Sequence, residues 1–211
     1  ENTYRHINIA LMNEMAVFCH ELGIDLWAAI EAARTKPFGY EAFYPGPGVG
    51  GHCIPIDPNY LSWLVRSVGY RFRFVELAEE ISDRMPAYVA KRVQDTLNTE
   101  RKSLNGSVVL LLGVTYKANV SDQRETPARP LAAHLAAMGA DVRYFDPHVD
   151  TFTFNGRELI GEGDLEQALA MADIAVLVQA HDEIVESGAL NRVGRILDTR
   201  GVLSGSNVER L

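Results

Sequence analysis

Cys53 stands in a run of residues able to do covalent chemistry, Gly50-Gly51-His52-Cys53-Ile54-Pro55-Ile56-Asp57. A thiolate attacks carbonyl carbon, and it needs a positive neighbour or aligned backbone dipoles to be populated near neutral pH. Gly50 and Gly51, having no side chains, let a substrate come close to the backbone. Asp57 follows at a spacing that suits relaying a proton or ordering a water. Residue chemistry leaves two readings of Cys53 open, a nucleophile or an inert buried thiol. Cys19 sits within a helical apolar pattern and reads as core. Gly46-Pro47-Gly48-Val49-Gly50-Gly51 matches G-x-G-x-x-G by letter, but that fingerprint needs a strand before it and a helix directly after it. Pro55 and Pro58 oppose an immediate helix. The plain alternative is a Gly/Pro surface loop.

The elements that must hold this loop are helical on both sides. Ile7, Leu11, Met15, Phe18 and Leu22 recur at helical spacing, Gly23 punctuates, and Asp25 is placed to cap a helix over Leu26–Ala33. Residues 34–60 read as loop. Helical pattern then resumes near Asn59, is interrupted around Gly69, and runs to about Leu97, with Pro86 suited to the first turn of the last helix. No alternating strand occurs in this half.

The texture changes at the polar stretch 98–106, a linker candidate. Beyond it, apolar strands alternate with helices: strands at Val108–Val114, Asp141–Phe145, Ile174–Val178 and Arg195–Asp198, helices at Pro127–Met138, at Leu165–Met171 and after Asp182. That alternation implies βαβ units in a doubly wound sheet, with function at the loops after the strands' carboxyl ends. Two units follow, 1–98 and 99–211. The chain opens in helical pattern without an initiator Met, so it is expected to be a piece of a longer protein.

Composition excludes some classes. The 211 residues carry 20 Lys and Arg against 28 Asp and Glu, a net charge of −8, which argues against a general nucleic-acid binder. There is no apolar run of about 18 residues, hence no membrane span, and no basic-then-apolar signal pattern. Two cysteines without paired spacing suggest a reducing, cytoplasmic location. The six His show no metal-ligand spacing, so no metal site is expected.

The residues from Phe43 to Pro58 resemble the active-site loop of the UDP-glucose/GDP-mannose dehydrogenase family, and the His-Cys-Ile-Pro-Ile-Asp-Pro form resembles its UDP-N-acetylhexosamine branch. Further matches are Asn2-Thr3-Tyr4-Arg5 through Glu14, Gly113–Asn119 with Asp122, Arg124, Glu125 and Pro127, Tyr144-Phe145-Asp146-Pro147, and Asp198-Thr199-Arg200. The resemblance implies an α/β protein. A mainly helical central, dimerising domain precedes a Rossmann-like doubly wound domain that binds the nucleotide sugar. An N-terminal NAD-binding domain and a catalytic Lys shortly before Asn2 would lie outside this chain.

The implied reaction is a four-electron oxidation at the sugar's C6 alcohol. Two NAD accept hydrides, and the intermediates are a Cys53 thiohemiacetal and thioester. Asn2 would help hold the oxyanion, and Asp57 would aid water activation. Gly50, Gly51, Tyr44, Lys117, Asn119 and Arg5 are the candidate substrate contacts. Arg5 would meet the acetamido group and Tyr44 would flank the uridine or sugar. Without the resemblance, Lys117 reads as a solvated turn lysine and Tyr44 as packing beside Pro45. Arg200 is the candidate cofactor contact through a phosphate, or else a brace between domains. Asp146 ends the second strand, where NAD domains carry a ribose-binding acid. It lacks the accompanying glycine fingerprint and is not assigned to NAD.

Ile56 departs from the wider family, which often carries Lys there. UDP-N-acetylglucosamine is the expected substrate, with UDP-N-acetylmannosamine or UDP-glucose as alternatives. A non-catalytic nucleotide-sugar-binding or dimerisation module is the reading of a different class. The expected partner is a second copy of the chain.

Overall fold

A computed structural model describes residues 1–211. The first 99 residues form four helices and no strand: α1 (Asn2–Glu21), α2 (Leu26–Arg34), α3 (Asp57–Ser67) and α4 (Arg73–Thr99). Gly23, with a φ of 68°, ends the first turn-and-helix unit. The Asp25 side chain accepts the Ala28 N–H at 3.0 Å and caps α2. The small core of this half joins Met12, Ala16 and Cys19 to Leu26 and Ile30, so Cys19 is a packing residue. α1 lies along α4 and touches α3.

The interruption expected around Gly69 falls between α3 and α4, but the last helix starts earlier than expected, at Arg73, and Pro86 lies in its interior rather than in a first turn. A proline there removes one backbone hydrogen bond, the one Ser82 O would accept. The helix continues because its buried face carries Met85, Val89, Ala90, Val93 and Leu97 into the main core.

The second half holds five parallel strands: β1 (Val108–Leu112), β2 (Asp141–Phe145), β5 (Ile174–Leu177), β6 (Ile196–Asp198) and β7 (Val208–Arg210), in the order β2-β1-β5-β6-β7. Strands buried on both faces read as unbroken apolar runs, as β1 does. Val109 and Leu111 face the core that includes α4 and α5 (Ala128–Ala137). Leu110 and Leu112 face the other core, with Leu169 of α6 (Leu165–Met171) and Ile184 of α7 (Asp182–Val185).

Two features went unread in the sequence. One is β7. The other is an antiparallel hairpin, β3 (Thr151–Phe154) and β4 (Arg157–Ile160), turning at Asn155-Gly156 with φ of 48° and 73°. The sheet order reverses between β1 and β5, and that switch point is where open α/β sheets carry ligands.

The expected division at 98–99 falls at the C-terminal end of α4. That helix contributes to the core beneath the sheet, and Arg92, buried in it, donates to Glu209 Oε1 at 2.5 Å and to Arg210 O at 3.0 Å. No helix is long and apolar enough to cross a membrane.

Candidate active site

Residues 36–56 form an irregular segment between α2 and α3, because Pro45, Pro47 and Pro55 withhold donors and the intervening glycines favour no regular structure. Three hydrogen bonds fix its path. Gly46 N–H donates to the buried Asn13 Oδ1 at 2.9 Å, Gly51 N–H to Arg124 O at 3.1 Å, and Asp57 N–H to Cys53 O at 2.9 Å. The last bond leads into α3, and exposed Cys53 lies just before that helix and its N-cap, Ile56. The run has neither the preceding strand nor the directly following helix of a dinucleotide fingerprint, and the chain's residues do not form such a site here.

Asn2 opens α1 and Asp57 opens α3, and the Asn2 amide donates to Asp57 Oδ2 at 2.6 Å. One carboxylate oxygen is thereby occupied and Oδ1 left open, while the amide keeps a second hydrogen for another acceptor. Cys53, Asp57 and Asn2 therefore belong to one cluster. Arg5, one turn along α1, is exposed and pairs with Glu1 at 3.8 Å.

The absent side chains of Gly50 and Gly51 make room for protein. A Cβ at Gly50 would stand 2.7 Å from Glu125 O and 2.8 Å from Tyr116 Cβ; one at Gly51 would stand 2.9 Å from the Tyr116 ring. These glycines let the Cys53 loop lie against the turn that follows β1. Lys117, next to Tyr116, is exposed and makes no ion pair.

Asn119 is committed to that turn's own structure. Its φ is 61°, its N–H donates to His181 Nδ1 at 2.9 Å, and its amide exchanges two hydrogen bonds with Asp182, at 2.8 and 3.0 Å. These bonds tie the turn after β1 to the start of α7.

Tyr44 and Arg200 share a different cleft, of about 530 Å³, with Trp27 and Arg210. Tyr44 stacks on Trp27 at 5.8 Å and its hydroxyl donates to Glu31 at 2.6 Å, a bond that raises its pKa. Arg200 Nε donates to Val178 O at 2.7 Å. The residue is partly accessible, yet burial of its head group pushes its pKa down to about 10 against the opposing pull of Asp198, so it remains a cation at neutral pH.

Sequence reasoning missed the pin beneath the Lys117 turn. His181 is fully buried, with Nδ1 accepting from Asn119 and Nε2 3.1 Å from Asp146 Oδ2 and 3.2 Å from Thr115 Oγ1. Those partners place the proton on Nε2. Asp146 also accepts the Val114 and His148 N–H groups at 2.7 and 2.9 Å, so it is engaged by protein.

Burial pushes the Asp146 carboxyl up, but donation from His181, Val114 and His148 outweighs it and leaves the pKa below the usual range. Its stabilisation is present above the unfolded carboxylate pKa and is lost as pH falls through the lower folded value. The melting temperature is therefore expected to drop more steeply below about pH 4 in the wild type than in Asp146→Asn. Identical acid limbs in the two melting curves would refute this.

The sequence profile described as "UDP-glucose/GDP-mannose dehydrogenase family, central domain" matches residues 1–84, and the profile of the same family's "UDP binding domain" matches residues 110–205. A UDP-N-acetyl-D-mannosamine dehydrogenase of Methanococcus maripaludis is 40% identical over 182 residues, 86% of this chain and 40% of that protein. A UDP-N-acetyl-D-glucosamine 6-dehydrogenase of Pseudomonas aeruginosa is 36% identical over 194 residues, covering 90% of this chain and 44% of its own length. The solved UDP-D-ManNAc dehydrogenase of Pyrococcus horikoshii superposes over 100% of this chain and 49% of that one, with a TM-score of 0.84 and 31% identity. The chain thus spans about half the length of the relatives it matches.

Proposed function

From the premise that this chain belongs to the UDP-glucose/GDP-mannose dehydrogenase family, we propose that it is the catalytic and sugar-nucleotide-binding portion of a UDP-N-acetylhexosamine 6-dehydrogenase. The observation that carries this reading is the cluster of Cys53, Asp57 and Asn2, formed where α1 and α3 begin. The C2 manno epimer is placed first. The archaeal relative named for that sugar is the more similar of the two curated ones, which shifts the reading from the gluco epimer expected from the sequence.

NAD, held mainly outside this chain, supplies hydride acceptance when bound. The covalent steps after the first oxidation fall to the chain's own residues. Cys53 thiolate adds to the C6 aldehyde: a C–S bond forms and the carbonyl pair moves to oxygen. That oxyanion can take the second hydrogen of the Asn2 amide. At the thioester stage, Asp57 Oδ1 accepts a proton from water as the water oxygen bonds to C6. The C–S bond then breaks and the thiolate is restored. Lys117 faces solvent from the turn at the end of β1, where an anionic diphosphate is held in this reading. Arg200 and Tyr44 serve the second cleft as phosphate and ring contacts.

We also infer a homodimer through the helical half. Tyr4, Leu11, Phe18 and Leu22 of α1 and its C-cap are exposed and fall on one face. A monomer mass by light scattering at micromolar concentration would count against it.

The test of function is turnover by the full-length protein with NAD and each of four sugars: UDP-N-acetylmannosamine, UDP-N-acetylglucosamine, UDP-glucose and GDP-mannose. Two NADH formed per sugar acid from one UDP-acetylhexosamine is the expected result. Binding of a UDP-sugar with no oxidation of any would favour the non-catalytic module instead.

A further inference from the structure

A lysine that grips a diphosphate gives up side-chain freedom, and the cost is smaller when the backbone beneath it is already fixed. The backbone of Lys117 is held on both sides. Before it, Thr115 Oγ1 donates to the Lys117 carbonyl at 2.8 Å. After it, Asn119 takes a φ of 61°, a conformation Asn adopts where local hydrogen bonds secure it. Those bonds come from the segment that follows β5. The Asn119 N–H donates to His181 Nδ1 at 2.9 Å, and its amide is locked to Asp182.

His181 meets both sides of Lys117. Its Nδ1 serves Asn119, and its Nε2 lies 3.2 Å from Thr115 Oγ1 and 3.1 Å from Asp146 Oδ2. Thr115 spends its hydroxyl hydrogen on the Lys117 carbonyl, so its oxygen is free to accept from Nε2. Asp146 is anchored in turn by the Val114 N–H at 2.7 Å. The ring therefore ties together the carboxyl ends of β2, β1 and β5, which are neighbours in the sheet and flank its switch point. Thr115 and His181 are fully buried, whereas Lys117 is exposed and makes no ion pair. A rigid polar network thus lies directly beneath an unpaired cation.

We propose that His181 is a positioning residue for sugar-nucleotide binding: through Thr115 and Asn119 it fixes the backbone of Lys117, so that the ammonium meets the diphosphate without first ordering the turn. The inference rests on the reading of Lys117 as the diphosphate's contact. His181 is sealed from solvent and acts only through its neighbours. The Cys53 loop keeps its own anchors, Gly46 N–H on Asn13 and Gly51 N–H on the Arg124 carbonyl, so loss of His181 weakens binding and spares the chemical steps.

The test is calorimetric titration of the full-length protein with UDP, alongside kcat and KM for whichever UDP-acetylhexosamine it oxidises. His181→Leu and Lys117→Met are each expected to weaken UDP about tenfold, and His181→Asn and Thr115→Val, which keep an acceptor for the Asn119 N–H, about threefold. KM should rise in step while kcat holds. In a Lys117→Met background the His181 and Thr115 changes should add nothing, because the residues act as one unit. Leu169→Ala, in the core on the other face of the sheet, controls for lost stability and should bind UDP as wild type does. Wild-type affinity in both His181→Asn and Thr115→Val overturns the proposal, even where His181→Leu does not fold. So do losses that multiply with that of Lys117→Met, or an equal loss in Leu169→Ala. Wild-type affinity in Lys117→Met is the separate result that sinks the Lys117 reading, and the inference with it.

Discussion

Cys53→Ala in the full-length enzyme is expected to lower sugar-acid formation by at least about 10³-fold, the largest effect of any single change considered. An aldehyde holds its hydrogen poorly placed for loss as hydride, whereas the thiohemiacetal oxyanion expels it readily, so without the sulfur the second oxidation has no good donor. Cys53 is exposed and packs in no core, so the variant should melt like wild type, and the loss will be chemical rather than structural. Asp57→Asn should differ in kind. Addition to sulfur proceeds, water attack slows, and a covalent sugar adduct accumulates on Cys53, visible as a mass increase of the intact protein. Sustained acid production by Cys53→Ala, measured by chromatography of the product, would remove the thioester route.

Gly50→Ala ranks second. The added Cβ would stand 2.7 Å from Glu125 O, 2.8 Å from Tyr116 Cβ and 3.0 Å from Pro127 Cδ. None of these is the tip of a flexible side chain, so the loop itself must retreat from the turn that carries Lys117 and Arg124. A displacement of about 1 Å at reacting groups costs on the order of 10²-fold in turnover. Overpacking costs about 1–3 kcal/mol of stability. Gly163→Ala is the matched control, since a Cβ there meets nothing within 4 Å. Turnover and melting temperature are measured for both. A Gly50→Ala enzyme with wild-type kcat would show that the two segments need not touch during catalysis.

What the sequence disclosed depended on the range of the cause. Local causes were readable: the Asp25 cap, the punctuating Gly23, the apolar run of β1, and the spacing of Cys53 and Asp57 in one loop. Asn155-Gly156 between Thr-Phe repeats is a strong hairpin signal that went unread, although both residues take the positive φ such turns need. Gly69 was a true breaker, between α3 and α4, whereas Pro86 was misread as a helix start because α4 is held through it by burial of its face against strands far away in sequence. The glycines at 50 and 51 announced a close approach, but not what approaches; that the neighbour is Tyr116 and Glu125 depends on how the two halves dock. Arg124 was noticed by motif, and the meeting of its carbonyl with Gly51 follows only from that docking. Asn119 was a candidate substrate contact through the resemblance, and its amide exchanges two hydrogen bonds with Asp182, which only the folded turn reveals.

The long helix α4 bears on how such a protein can be cut and recombined. Its first turns border the site-bearing helices, while Met85 to Leu97 form part of the floor under β1 and β5. A chain begun at residue 99 would therefore lack a wall of its own sheet, leaving Leu131 and Leu135 short of their neighbours. Covalent modularity and cooperative folding have different borders here: the seam where unrelated halves could be exchanged runs before Met85, inside a helix, rather than through the polar stretch that looks like a hinge. An unbroken rod shared by both halves also resists bending between them, so the spacing between the Cys53 loop and the turn after β1 is inherited from the fold and does not await ligand to set it.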